Sequence, residues 1–378
     1  MTTRSLYPAL VIISIVAFIM SLSGCTYPNL GDSDAALLLE DVLKGDRPSR
    51  LKTKTPTPTR RTIAYTIDGR HHIADLYVSP QGAQAGIVLI PGVVQDGKDD
   101  VRLVTLAKTL ARLRFAVLIP EITDLRRFHT RARHVRVMTD AFRYLVAQPE
   151  LAPQGRAGFG GFSYGVGIVL LASLEPDIRD KVDYLLGFGG YHDLNSIVTY
   201  FTTGYYHDVQ AGMLKYRRPH FYLKNVFTIS NSVLLNVPAD RTQVRYLLKK
   251  DIKDIDQELA KLAPDARALF ELVTNKDPQL VATLIDKLSP RIQTELHGIN
   301  PAKRDLSQIK AQVILLHGRG DTMIPYTESI AIAQALPKDQ VTLFLIEGYA
   351  HTNVKPKRGD LPQLLGAMEL LMQQRVTN

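Results

Sequence analysis

From residue 62 onward the chain alternates short apolar runs with longer stretches in which apolar residues recur at helical spacing. Residues 62–67 and 72–78 alternate apolar and polar positions around Asp68-Gly69, which predicts a hairpin closed by a tight turn. Residues 87–90, 116–119, 157–162 and 184–188 are short and nearly continuously apolar, as strands covered on both faces are. Residues 101–113, 134–147 and 166–174 between them read as helices, and the strand pattern returns at 311–316 and 341–346. This alternation predicts an α/β fold, a mostly parallel sheet with helices on both faces, and shows no internal repeat.

Residues 191–305 interrupt the pattern. They hold helix-like stretches at 242–250, 255–262, 266–273, 279–288 and 290–296 and almost no strand signal, which predicts a mainly helical insertion. Its first part is rich in aromatic and basic residues, among them Tyr200, Phe201, Tyr205, Tyr206, Tyr216, Arg217, Arg218, His220, Phe221 and Tyr222. Such side chains either line an acyl pocket or form the insertion's own small core.

The N-terminus carries a different signal. Arg4 precedes a mostly apolar run over residues 6–22, short for a membrane span but long enough for the hydrophobic region of a signal peptide. It ends in Leu22-Ser23-Gly24-Cys25, and Cys25 is the only cysteine of 378 residues, so no intrachain disulfide exists. The tetrapeptide resembles a bacterial lipobox. That resemblance implies a signal peptide over 1–24, lipidation of Cys25 and a place in the bacterial cell envelope; an uncleaved signal anchor is the alternative. Thr26 rather than aspartate after the cysteine suggests the outer membrane, with the protein facing the periplasm. Residues 25–61, which contain a short amphipathic run at 35–43, read as a basic, Pro/Thr-rich tether, extended because its 53–59 core cannot bury enough apolar surface to fold alone. Its Arg50, Lys52, Lys54, Arg60 and Arg61 hold part of the net charge of +9, and no nucleic-acid-binding signature accompanies that charge.

The candidate chemistry lies in three loops. Gly161-Phe162-Ser163-Tyr164-Gly165 stands between a strand-like and a helix-like run, the context in which G-x-S-x-G lifts a serine clear as a nucleophile. Gly161 and Gly165 are needed there because strand and helix pass too close for side chains. Asp321 follows the strand at 311–316, and His351 follows the strand at 341–346. Asp193, after the strand at 184–188, is the rival acid. The nine other histidines, His71-His72 and His192 included, show no metal-site spacing.

The segments 156–167, 313–325 and 343–351 resemble the nucleophile, acid and histidine loops of α/β-hydrolases, in the same order Ser, Asp, His. With flanking elements the resemblance covers about residues 62–190 and 306–378, leaving 191–305 as a helical cap. It implies a Ser163 nucleophile, His351 as general base and Asp321 as the group orienting the imidazole. It also implies an oxyanion hole formed by the backbone N–H of Tyr164 and one from the loop after residues 87–90, placed on Val93, with Val94 the alternative. Pro91 stands where many family members carry a histidine. The expected activity is cleavage of a carboxylic ester or thioester, the substrate a small acyl ester or lipid-like molecule, with neither cofactor nor metal. Amide hydrolysis, acyl transfer to another acceptor and a non-catalytic envelope lipoprotein of the same fold remain as alternatives.

Overall fold

The computed structural model describes residues 31–208, 211–249, 254–350, 353–354 and 357–376; Cys25 and His351 lie outside the described residues. Ten strands carry the topology: β1 Thr59–Ile67, β2 Arg70–Val78, β3 Ala85–Leu89, β4 Phe115–Pro120, β5 Ala157–Phe162, β6 Tyr184–Phe188, β7 Tyr205–Asp208, β8 Met213–Tyr216, β9 Gln312–Gly318 and β10 Val341–Ile346. Eight of them form one sheet in the order β1-β2-β4-β3-β5-β6-β9-β10. Only β2 runs against its neighbours; the pairs from β4 through β10 are parallel. The hairpin expected at Asp68-Gly69 joins β1 and β2, and both turn residues have positive φ, at 48° and 76°. This is the α/β-hydrolase fold.

Apolar layers cover both faces of the sheet. On one lie α5 (Arg133–Val146), α6 (Tyr164–Ala172) and α14 (Thr327–Ala335), with Met138, Phe142, Ile168 and Ile332 packed on Val88, Leu118 and Phe159. On the other lie α1 (Asp34–Lys44), α3 (Val101–Arg112) and α15 (Leu361–Gln373), packed on Ile87, Val117 and Leu316. Two short helices, α2 (Arg50–Lys54) and α4 (Thr123–Arg126), complete the frame.

The expected extended spacer is corrected by α1 and α2. Ala35, Leu37, Leu38, Leu39 and Leu51 are buried among the side chains of α3 and α15. Asp41, also buried, accepts from Thr109 Oγ1 at 2.6 Å, pairs with Lys52 Nζ at 2.8 Å and accepts from the Ser49 hydroxyl. Arg112 clamps the Pro/Thr stretch by donating to the carbonyls of Thr55 and Pro56 at 2.8 and 3.0 Å. Four of the five basic residues are paired internally: Arg50 on Glu40 and Asp32, Lys52 on Asp41, Lys54 on Asp32 and Arg60 on Asp75. Pro/Thr composition here marks a turn between a docked helix and β1, because the surface that the helix covers comes from distant parts of the chain.

The segment between β6 and β9 holds α7 (Leu194–Thr203), α8 (Phe221–Ser232), α9 (Pro238–Leu247), α10 (Ile255–Ala260), α11 (Pro264–Thr274), α12 (Val281–Asp286) and α13 (Pro290–Gly298). It has an apolar core of its own, including Phe201, Phe227, Leu269 and Ile292. The near absence of strands expected there is corrected by the antiparallel hairpin β7–β8. These strands are four residues each, and β8 is exposed throughout, so no buried alternation marks them in the sequence.

Candidate active site

Ser163 sits between the end of β5 and the start of α6 with φ 53° and ψ −121°, a strained conformation for a residue with a side chain. Its N–H is held by the Phe188 carbonyl at 2.8 Å. The flanking glycines are sterically required. A Cβ on Gly161 would lie 2.8 Å from the carbonyl carbon of Gly165 and 2.9 Å from Val166 N; one on Gly165 would lie 2.3 Å from Ile90 Cγ2. The first clash is with backbone, the second with the end of a side chain. Gly161→Ala is therefore expected to lose more activity than Gly165→Ala, and adding Ile90→Ala should restore activity to Gly165→Ala alone; initial rates on one ester decide this. Rescue of Gly161→Ala by Ile90→Ala would contradict the packing argument.

Asp321 leaves the same edge of the sheet, three residues beyond β9, which is separated from β5 by β6 alone. It is fully buried, and its Oδ1 accepts from the N–H groups of Met323 at 2.7 Å and Ile324 at 3.0 Å. These donors stabilise the carboxylate and fix its orientation. His317 braces the loop from beneath, its Nδ1 2.7 Å from Ser329 Oγ and its Nε2 3.0 Å from the Ile324 carbonyl. The rival, Asp193, caps α7: its Oδ1 accepts from Asn195 N at 3.1 Å and from Asn300 Nδ2 at 2.9 Å. Buried Glu328 accepts from the backbone N–H groups of His192 and Asp193, and burial pushes its pKa up. His192 and Asp193 thus secure the point where the cap leaves the core.

Val93 lies in the loop after β3, as the sequence suggested. The N–H of Val94 is spent on the Gly92 carbonyl at 2.9 Å, whereas that of Val93 has no bonded partner among the described residues. This favours Val93 over Val94 as a donor. Tyr164, the first residue of α6, has an N–H with no carbonyl one turn earlier in the helix to bind.

The aromatic and basic part of the cap grips these loops. Arg217 donates to the Asp321 carbonyl at 2.8 Å, His220 N and the Tyr200 hydroxyl donate to the Thr322 carbonyl at 2.8 and 3.0 Å, and the Tyr222 hydroxyl donates to the Val93 carbonyl. Burial pushes the Tyr222 phenol up to about 12, so it remains protonated and can donate. Tyr206 is only 5% exposed, edge-on to Tyr200 at 5.9 Å with the Arg217 guanidinium over its ring. The choice between pocket lining and cap core therefore divides residue by residue.

Sequence reasoning missed one cluster. The Tyr164 hydroxyl meets His134, and His134 meets Asp124. The available signal was a histidine inside an apolar helical stripe, since His134, Met138, Ala141, Phe142 and Leu145 form the buried face of α5.

No family model and no curated protein matches this chain. Among solved structures it is similar to a puromycin-hydrolyzing peptidase of Mycobacterium tuberculosis, at 15% identity over 84% of this chain and 39% of that one, with a TM-score of 0.48. It is also similar to 2,6-dihydroxy-pseudo-oxynicotine hydrolase, at 14% identity over 83% and 68%, TM-score 0.47. A dienelactone hydrolase from Anabaena variabilis aligns at 14% identity over 84% and 97%, TM-score 0.44. The chain spans 39% of the length of the first of these.

Proposed function

We propose that this protein hydrolyses a carboxylic ester or thioester through an acyl-enzyme on Ser163. The observation that carries the reading is the strained serine at a strand-to-helix elbow whose two glycines are sterically required, beside a buried aspartate fixed by backbone donors. In this reading His351 takes the Ser163 proton as Oγ attacks the acyl carbon, then returns it to the leaving oxygen or sulfur. Water, deprotonated by the same imidazole, releases the acid. Asp321 orients the imidazole and stabilises its protonated form, while the N–H groups of Val93 and Tyr164 meet the charge on the acyl oxygen. A fluorophosphonate probe tests it: labelling on Ser163 is expected, and an unlabelled folded protein refutes it.

The cap supports an apolar acyl group. Phe221, 56% exposed at the start of α8, follows the His220 N–H that holds the acid loop. With an ester series, kcat/KM should rise by up to about fourfold per added methylene, the equivalent of about 0.8 kcal/mol. Phe221→Ala should flatten that rise, whereas Tyr206→Ala should lower the melting temperature and depress all esters alike. Equal loss on short and long esters in Phe221→Ala would remove Phe221 from the acyl site.

We also propose attachment to a membrane of the bacterial envelope through lipidated Cys25, supported by the apolar run at 6–22 and the Leu22–Cys25 tetrapeptide. Orientation follows from the fold. Asp34 pairs with Arg375 at 2.5 Å, and Arg375 donates to the carbonyl of Leu113, just ahead of β4. α1 thus begins at the sheet edge opposite Ser163. Five residues separate Cys25 from Gly31, a reach of at most about 22 Å of chain. An anchor there holds the catalytic edge away from the bilayer, toward substrates arriving from the aqueous side. Cys25→Ser should abolish incorporation of labelled fatty acid; label persisting on that variant contradicts the attachment.

A further inference from the structure

We propose that His134 and Asp124 are positioning residues that hold Tyr164, and with it one oxyanion donor, in register with Ser163; this rests on the serine-hydrolase reading above. The need for such a tether arises at the elbow. Ser163 is the N-cap residue of α6 yet makes no side-chain capping bond, so the first turn of the helix lacks the constraint that a serine at this position ordinarily gives. The residue that begins that turn is instead fixed through its ring.

The Tyr164 hydroxyl lies 2.9 Å from His134 Nδ1, and His134 Nε2 lies 3.1 Å from Asp124 Oδ2. The two rings meet edge to face at 6.0 Å. Chemistry fixes the direction of the bonds. An ionised Asp124 can only accept, so Nε2 carries the imidazole proton, Nδ1 is the acceptor, and the phenol proton points to Nδ1. The Arg131 carbonyl, 3.3 Å from the phenol oxygen, is the more distant acceptor. Burial holds His134 below the ordinary imidazole range against the pull of Asp124, which keeps the ring neutral as this arrangement requires. Asp124 is steadied in turn by Arg133 Nε at 2.7 Å.

The chain Tyr164, His134, Asp124 joins α6 to α5 and α4, all elements of the core frame. Its order, carboxylate to imidazole to hydroxyl, resembles a triad with the Tyr164 phenol in place of a serine; with Ser163 as the nucleophile of the reading above, the cluster acts on geometry. A backbone donor stabilises the transition state only if it is already aimed at the developing charge. Loss of the tether should therefore appear in kcat rather than in KM.

The test uses the full chain with Tyr164→Phe, His134→Leu, the double variant and Asp124→Asn. Readouts are kcat and KM on a short ester, the rate constant for fluorophosphonate labelling of Ser163, and melting temperature. Tyr164→Phe should lower kcat and the labelling rate by about tenfold with KM unchanged, because the interaction is used in the transition state. His134→Leu should match it, and the double variant should be no worse than either. Asp124→Asn, which keeps an acceptor for Nε2–H, should retain most of the rate. Should His134→Leu fail to fold, Tyr164→Phe still decides. A parent protein labelled on Ser163 with unchanged kcat in Tyr164→Phe overturns the tether alone, as do losses that multiply in the double variant. A parent that is never labelled overturns the serine-hydrolase reading and the tether with it.

Discussion

Replacing Ser163 by alanine should lower kcat by about four to six orders of magnitude while leaving the fold intact, because the hydroxyl is the nucleophile of the proposed mechanism and makes no capping bond for α6. His351→Ala should cost nearly as much, and combining the two should add little, since groups that work in one step are strongly non-additive. Asp321→Asn should lower kcat by about a thousandfold or more through loss of the correct imidazole tautomer. Asp193→Asn separates the two candidate acids. Its Oδ1 caps α7 and receives Asn300, an acceptor role that an asparagine Oδ1 can keep, so its change should cost little stability and little of the chemistry. Steady-state kinetics on a short ester with melting curves for each variant decide the assignment. Full turnover in Ser163→Ala sinks the mechanism, and a large kcat loss confined to Asp193→Asn moves the acid.

How much of this was legible in the sequence follows the range of the interactions. The parallel strands were plain, because each is a nearly continuous apolar run; residues 184–188 and 341–346 coincide with β6 and β10. The elbow was plain because its glycines sit at fixed offsets from Ser163, and the close contacts that they permit are local to β5, α6 and Ile90. The backbone bond that sets Val94 apart from Val93 was not, since it depends on Val94 N–H closing on Gly92. Nor were the bonds from Tyr200, Arg217, His220 and Tyr222 to the acid and oxyanion loops, which bridge 100 or more positions to Asp321 and Thr322 and 129 to Val93. The tether on Tyr164 was hidden for the same reason, 30 residues separating the phenol from His134.

The same limit concealed where the amphipathic run at 35–43 docks, and the largest expected effect on stability follows from it. Leu38 is 1% exposed and lies in the layer that contains Leu364, Met368 and Leu371 of α15 and Leu106 and Leu110 of α3. Leu38→Ala should destabilise by about 2–5 kcal/mol, the range for emptying a buried leucine site, and lower the melting temperature by roughly 4–15 °C. Asp41→Ala should act in the same direction by a different route, leaving the Thr109 hydroxyl and Lys52 without the carboxylate that they share. Deleting residues 31–55 would uncover the part of the apolar surface of α15 and α3 that α1 covers, and aggregation is the expected outcome. Throughout, the rate at which folded Leu38→Ala protein is labelled at Ser163 should match the parent, because α1 packs beside α15 and begins at the sheet edge opposite the elbow. A spacer without tertiary contacts would give the opposite result: an unchanged melting temperature in Leu38→Ala and a soluble, cooperative domain after the deletion.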